Sequence, residues 1–212
     1  MERTKVPSIR VVGLFPGGIM VVRRLYEADP ERCGYFVCDT GPAFLEASPV
    51  PDKLLLRKGE RCFPKDIVDG TETLILIAVL DGPDAASSAE MLLKMATGAR
   101  EAGVCVHVII SLSLDKNETD TALKHVKVME EWEDSYVQVI YPRLMSFSYR
   151  FRPGAEVMRR RIRDAMADEA EGLIGTRLYW EERFAPIHRM LDELAGENET
   201  ADNNPTFSKI NH

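Results

Sequence analysis

The feature that most constrains this chain is a set of short apolar runs that stay apolar on successive residues. Residues 73–80 read TLILIAVL and residues 104–112 read VCVHVIISL. A strand with one wet face alternates polar and apolar side chains, whereas these runs call for burial on both faces. That is the condition of a parallel sheet covered by helices. Four further runs, residues 8–14, 34–39, 53–56 and 136–141, complete six predicted strands.

Helical patterns separate them. Residues 18–28 place Ile19, Val22 and Tyr26 on one side and Arg23 and Arg24 on another. Residues 84–102 are rich in Ala, Met and Leu, with Asp84 positioned to cap the start and Gly103 to end the run. Residues 119–132 carry Ala122, Val126 and Met129 at helical spacing. The simplest topology is a three-layer α/β fold with right-handed crossovers: a doubly wound, mostly parallel six-stranded sheet with C-terminal helices. Residues 48–64 hold Pro49, Pro51 and Pro64 and leave little room for a full helix.

Beyond Pro142 the pattern changes. Pro153 can open a helix to about Gly172, with Val157, Ile162, Ala165 and Met166 facing inward. Residues 177–195 form another helical segment, expected to kink or split at Pro186. From Gly196 the chain is polar and expected to fray. The organisation that follows is an α/β domain over residues 1–145, a helical segment over 146–196 and a disordered tail over 197–212.

Bulk properties narrow the function classes. A hydrophobic content of 45% in 212 residues is enough for a core, and a net charge of −7 argues against a general nucleic-acid coat. No stretch reaches the roughly 18 apolar residues of a membrane span. The segment MERTKVPSIR lacks the apolar centre of a secretory signal, so cytoplasm is the expected compartment. Cys33, Cys38, Cys62 and Cys105 fit no zinc or CxxC spacing, and Cys38 and Cys105 in apolar runs are expected to be small buried hydrophobes.

Three loops at strand ends could meet a ligand. Gly13-Leu14-Phe15-Pro16-Gly17-Gly18 leads from the first strand into the first helix, where glycines and a helix N-terminus can receive phosphate. The same glycines also suit a tight turn, and Pro16 has no N–H to donate. Asp39 and Thr40 end the second strand, where an acid can bind ribose hydroxyls or make an Asx-turn before Gly41-Pro42. Asp81-Gly82-Pro83-Asp84 ends the fourth strand, and its carboxylates repel phosphate unless Mg²⁺ bridges them. A block of arginines at 143, 150, 152, 159, 160, 161 and 163 could grip nucleic acid. It also reads as a helix face balanced by Asp164, Asp168, Glu169 and Glu171. His107 is expected to be a core residue, and no nucleophile stands with its base, so no catalytic or metal residue is assigned.

In order along the chain, these segments resemble the nucleotide-binding domain of FtsZ, the bacterial tubulin relative. Ile9-Arg10-Val11-Val12-Gly13 with Gly17-Gly18 resembles its first strand and glycine-rich loop. Tyr35-Phe36-Val37-Cys38-Asp39-Thr40 with Ala43 and Leu45 resembles its second strand and the Asn-Thr-Asp-Ala-x-Ala-Leu pattern. Ile75-Leu76-Ile77-Ala78 resembles the strand before the tubulin signature, residues 100–110 the strand after it, and residues 140–144 loosely the end of the sixth. The likeness spans about residues 8 to 144.

The signature loops depart from that pattern. GGGTGTG is here Asp81-Gly82-Pro83-Asp84-Ala85-Ala86-Ser87, keeping only Gly82. Phe15 and Pro16 stand where the family has glycines, and Met20 near a base-contacting asparagine. No second domain or Asn-x-Asp segment is recognisable. The resemblance therefore implies a degenerate relative that associates with itself or an FtsZ-like partner, in bacterial cell division or the cytoskeleton, without hydrolysing nucleotide. GTP or GDP would be its nucleotide, with Gly13, Gly17, Gly18, Asp39, Thr40 and Gly82 as the contacts. The alternative is an enzyme or sensor that binds a nucleotide or dinucleotide between Gly13–Gly18 and Asp39.

Overall fold

A computed structural model describes residues 8–56, 65–112, 116–133, 135–141 and 154–201, without the side chains of 116–119, 121, 155 and 185–201. The elements run β1 (Ile9–Leu14), α1 (Phe15–Ala28), β2 (Gly34–Asp39), α2 (Pro42–Glu46), β3 (Asp52–Leu55), α3 (Lys65–Val68), β4 (Thr73–Leu80), α4 (Ala85–Glu101), β5 (Cys105–Leu112), α5 (Lys116–Glu130), β6 (Tyr136–Ile140) and α6 (Ala155–Ala201). Two compact units are present, Met1–Gly172 and Leu173–His212, and α6 contributes to both.

The strands form one sheet in the order β3-β2-β1-β4-β5-β6, every neighbouring pair parallel. This is the expected doubly wound sheet, with β1 and β4 adjacent where the strand order reverses. The uninterrupted apolar runs have the cause inferred for them: β4 is buried at every position but Val79, and β5 from Val108 to Leu112. Alternate residues serve opposite layers. Val12, Leu14, Leu76, Ala78, Val108 and Ile110 join Leu92, Ala96, Ala122 and Val126 of α4 and α5 in one cluster. The other face, at Ile77 and Val79, receives α1. On that side Arg24 of α1 pairs with Asp164 of α6, and the Tyr136 hydroxyl donates to Glu169 Oε1 of α6 at 2.8 Å.

Local chemistry explains several boundaries. α4 stops ahead of Gly103, whose φ of +81° suits glycine, and the Val104 N–H closes the turn on the Ala99 carbonyl at 3.1 Å. Arg10, buried in β1, donates to the Asp66 carbonyl of α3 and lies 5.3 Å from the Phe36 ring centre.

Other boundaries differ from expectation. α1 starts at Phe15 instead of Gly18, because strand passes into helix without an intervening loop. α2 was not expected, being too short to show a helical period. α6 is one element through Pro186 and on to Ala201. Val157 is 48% exposed, whereas Met158, Ile162 and Met166 are buried, so the inward stripe is one residue out of phase at its start. Cys105 is exposed because it opens β5 at the rim of the sheet.

Candidate functional site at the carboxyl edge of the sheet

In a parallel sheet the carboxyl ends of all strands share one edge, and ligands bind where the order reverses. Register places Gly13 beside Val37 and Ile77, and Leu14 beside Cys38 and Ala78. The three loops singled out in the sequence, after β1, β2 and β4, therefore converge on that edge. They bring Gly13, Gly17, Gly18, Asp39, Thr40 and Gly82 to one end of the molecule.

The first of them is a contact more than a loop. A Cβ on Gly13 would stand 2.6 Å from the Gly18 carbonyl oxygen, one on Gly17 2.4 Å from Val79 Cβ, and one on Gly18 2.2 Å from the Ile77 carbonyl oxygen. Real Cβ atoms do not approach so closely, so all three positions require glycine for the backbone of α1 to lie against β1 and β4. Leu14 is the N-cap and offers no side-chain hydrogen bond, while Pro16 in the first turn has no N–H. Sequence reasoning missed the conformation of Phe15. It has φ +62° and is buried, so it adopts the left-handed backbone that glycine adopts without strain. The signal available was its place, a position where the resembling family has glycine.

Asp39 is buried at the end of β2, and its Oδ1 accepts the Thr40 N–H at 2.7 Å. One carboxylate oxygen thus serves the chain's own turn. The α2 N-cap is Gly41, so Asp39 is not the cap of that helix. After β4, Gly82 takes φ +75° and its carbonyl accepts the Ala85 N–H at 3.1 Å. The expected capping of α4 by the Asp84 side chain does not occur. Instead the Asp84 carbonyl accepts the Ser87 hydroxyl at 2.9 Å and the Ser88 N–H at 2.9 Å. Its φ and ψ, −92° and 4°, are not the extended values from which a cap side chain reaches back. The carboxylates of Asp81 and Asp84 remain exposed at the mouth.

The other sequence candidates lie elsewhere. His107 is half-buried near the amino end of β5, and His125 is half-buried on α5. Arg159 and Arg163 pair with Glu156 at 3.8 and 3.2 Å, while Asp164 and Glu169 turn to Arg24 and Tyr136. The proposed balance within one helix face is therefore partly an attachment to neighbouring elements. Cys62, Arg143, Arg150, Arg152, the segment 142–153 and the tail beyond 201 lie outside the described residues. Among the described residues no three His, Cys, Asp or Glu side chains group as metal ligands, and no helix is long and apolar enough to cross a membrane.

No family model matches the sequence, and no curated protein does. Solved structures do. FtsZ from M. jannaschii aligns with TM-score 0.65 and 14% identity over 80% of this chain and 56% of that one. CetZ from Methanosaeta thermophila aligns at 0.57 and 14% over 80% and 54%. CetZ2 from Haloferax volcanii aligns at 0.53 and 16% over 79% and 58%. The chain thus spans little more than half the length of each. Sheet order and these likenesses together give the fold as that of the nucleotide-binding domain of FtsZ and tubulin.

Proposed function

We propose that the protein is an FtsZ-like binding or assembly module that does not hydrolyse GTP, acting by self-association or on an FtsZ-like partner in cell division or the cytoskeleton. The observation that carries this reading is the packing of Gly17 and Gly18 against Val79 and Ile77. Glycines after a first strand invite a phosphate reading, but here the contact of helix on sheet already demands them. Electrostatics supports the same direction. A carboxylate ~4 Å from a phosphate costs roughly 4 kcal/mol per charge pair at an effective dielectric of ~20. An uncapped helix N-terminus returns about 1 kcal/mol at most exposed sites. Asp81 and Asp84 therefore outweigh α1 unless a cation lies between them and the phosphate.

Self-association draws support from relatives of the same fold, since CetZ2 was solved as a protofilament with GTPγS bound. In this reading residues 1–145 are the scaffold, 146–196 an accessory helical segment and 197–212 a tail whose first residues, to Ala201, continue α6, within the cytoplasm. Equilibrium dialysis with labelled GTP and GDP, with and without Mg²⁺, tests it. The expected result is no micromolar binding and no turnover. Micromolar binding with turnover would make it an active GTPase. A thermal-shift panel with NAD, NADP, FAD, GTP and ATP covers the dinucleotide alternative, because a ligand at 100 times its dissociation constant adds about 2.7 kcal/mol. Stabilisation by NAD without GTP would favour that alternative.

A further inference from the structure

At the opposite rim of the sheet from those loops, an exposed thiol and an imidazole stand side by side. Cys105 is the first residue of β5, and His107, two residues on, projects from the same face of the strand. Cys105 Sγ lies 3.7 Å from His107 Nε2, within reach of an S–H···N hydrogen bond. The Tyr136 ring meets the imidazole edge-on at 5.9 Å. Tyr136 is in turn fixed from α6, its hydroxyl donating to Glu169 Oε1 at 2.8 Å. A nucleophile, a base within hydrogen-bond reach and a group that orients the base are the elements of an activated side chain. Cys33 and Cys38 lack this setting. Both are buried, and burial pushes their thiols up to about 11 and about 12.

We propose that Cys105 is a thiol–disulfide exchange site, with His107 as its proton acceptor and low-molecular-weight disulfides as its substrate class. The Sγ–H proton passes to Nε2, and the thiolate attacks one sulfur of the disulfide. An S–S bond forms to Cys105 as the original S–S bond breaks, and the departing thiolate takes the proton back from His107. No other oxidant or reductant enters. The product is a mixed disulfide on an accessible rim, reversible by a second thiol.

The test uses the full chain and glutathione disulfide, with adducts located by peptide mass mapping so that each cysteine is followed separately. Cys105 should form its adduct faster in the folded protein than in the urea-unfolded chain at the same pH, each referenced to a simple thiol in the same solvent. His107→Gln should slow the folded reaction roughly tenfold. A free thiol is a few per cent ionised at neutral pH, so complete activation gains no more than about 30-fold. Circular dichroism checks that His107→Gln folds. Equal rates in folded and unfolded chains, or an unchanged rate in a folded His107→Gln protein, would overturn the proposal. The folded-against-unfolded comparison stands even if the variant fails to fold.

Discussion

The α-carbon of Gly18 and the carbonyl oxygen of Ile77 are so close that a Cβ on Gly18 would stand 2.2 Å from that oxygen. At this point helix α1 and strand β4 therefore meet backbone to backbone, whereas at Gly17 the helix meets the Val79 side chain. Gly18→Ala should destabilise the fold by about 1–3 kcal/mol or more, because the obstruction is main chain and cannot rotate away. Gly41→Ala, where nothing lies within 4 Å of the added Cβ, should change stability far less. Urea unfolding of the two variants checks the contrast.

Phe15 offers a sharper comparison, because two effects of opposite sign act on one residue. Its φ of +62° costs about 1–2 kcal/mol for a side-chain-bearing residue, while losing a buried phenyl ring costs about 3–5 kcal/mol. Phe15→Gly should therefore be less stable than the parent, because burial wins. It should nonetheless be more stable than Phe15→Ala by about 1 kcal/mol, reversing the usual helical preference for alanine. Unfolding midpoints that place Ala above Gly would show that Phe15 is not left-handed.

Alkaline pH should weaken the fold through Cys33 and Cys38. Burial raises their folded values to about 11 and about 12 from an ordinary 9.0, so the folded state holds these protons more tightly than the unfolded chain. Stability from this source is complete below pH 9, where both states are protonated. It is lost as pH rises toward the folded values, because the unfolded chain ionises first. Urea midpoints between pH 8 and 10.5 should fall, and Cys33→Ala with Cys38→Ala should flatten that slope.

The first part of α6 should depend on apolar burial and little on its ion pair. Asp164 and Arg24 are both about half exposed, and such pairs contribute about 1 kcal/mol at most. Met166 is fully buried, and its truncation to alanine should cost about 2–5 kcal/mol. Asp164→Asn and Met166→Ala, compared by urea unfolding, should differ in that order. Equal losses would mean that the ion pair carries more than an exposed pair can.

Much of the architecture was legible because its signals are local. All six strands begin and end within a residue of their places in the sequence pattern, since burial on both faces writes itself as unbroken apolar runs. The parallel pairing followed from helices between the strands, and Gly103 marked the end of α4 through its own backbone freedom. The candidate site was legible only as an address. Gly13, Gly17, Gly18, Asp39, Thr40 and Gly82 do gather at one edge of the sheet, which the parallel topology requires.

Which neighbours Gly13, Gly17 and Gly18 meet there was decided by approach distances that no short window of sequence contains. Whether a glycine after β1 faces a ligand or a neighbouring backbone depends on how near β4 comes, and Val79 lies far along the chain from Gly17. The pairing of Tyr136 with Glu169 and the exposure of Cys105 at the rim have the same origin. The amino-acid order alone determined which segments must be buried, because hydrophobic patterning is a property of neighbours. Only the tertiary structure decided which buried or exposed groups touch, because contact between distant segments depends on the packing of the whole sheet.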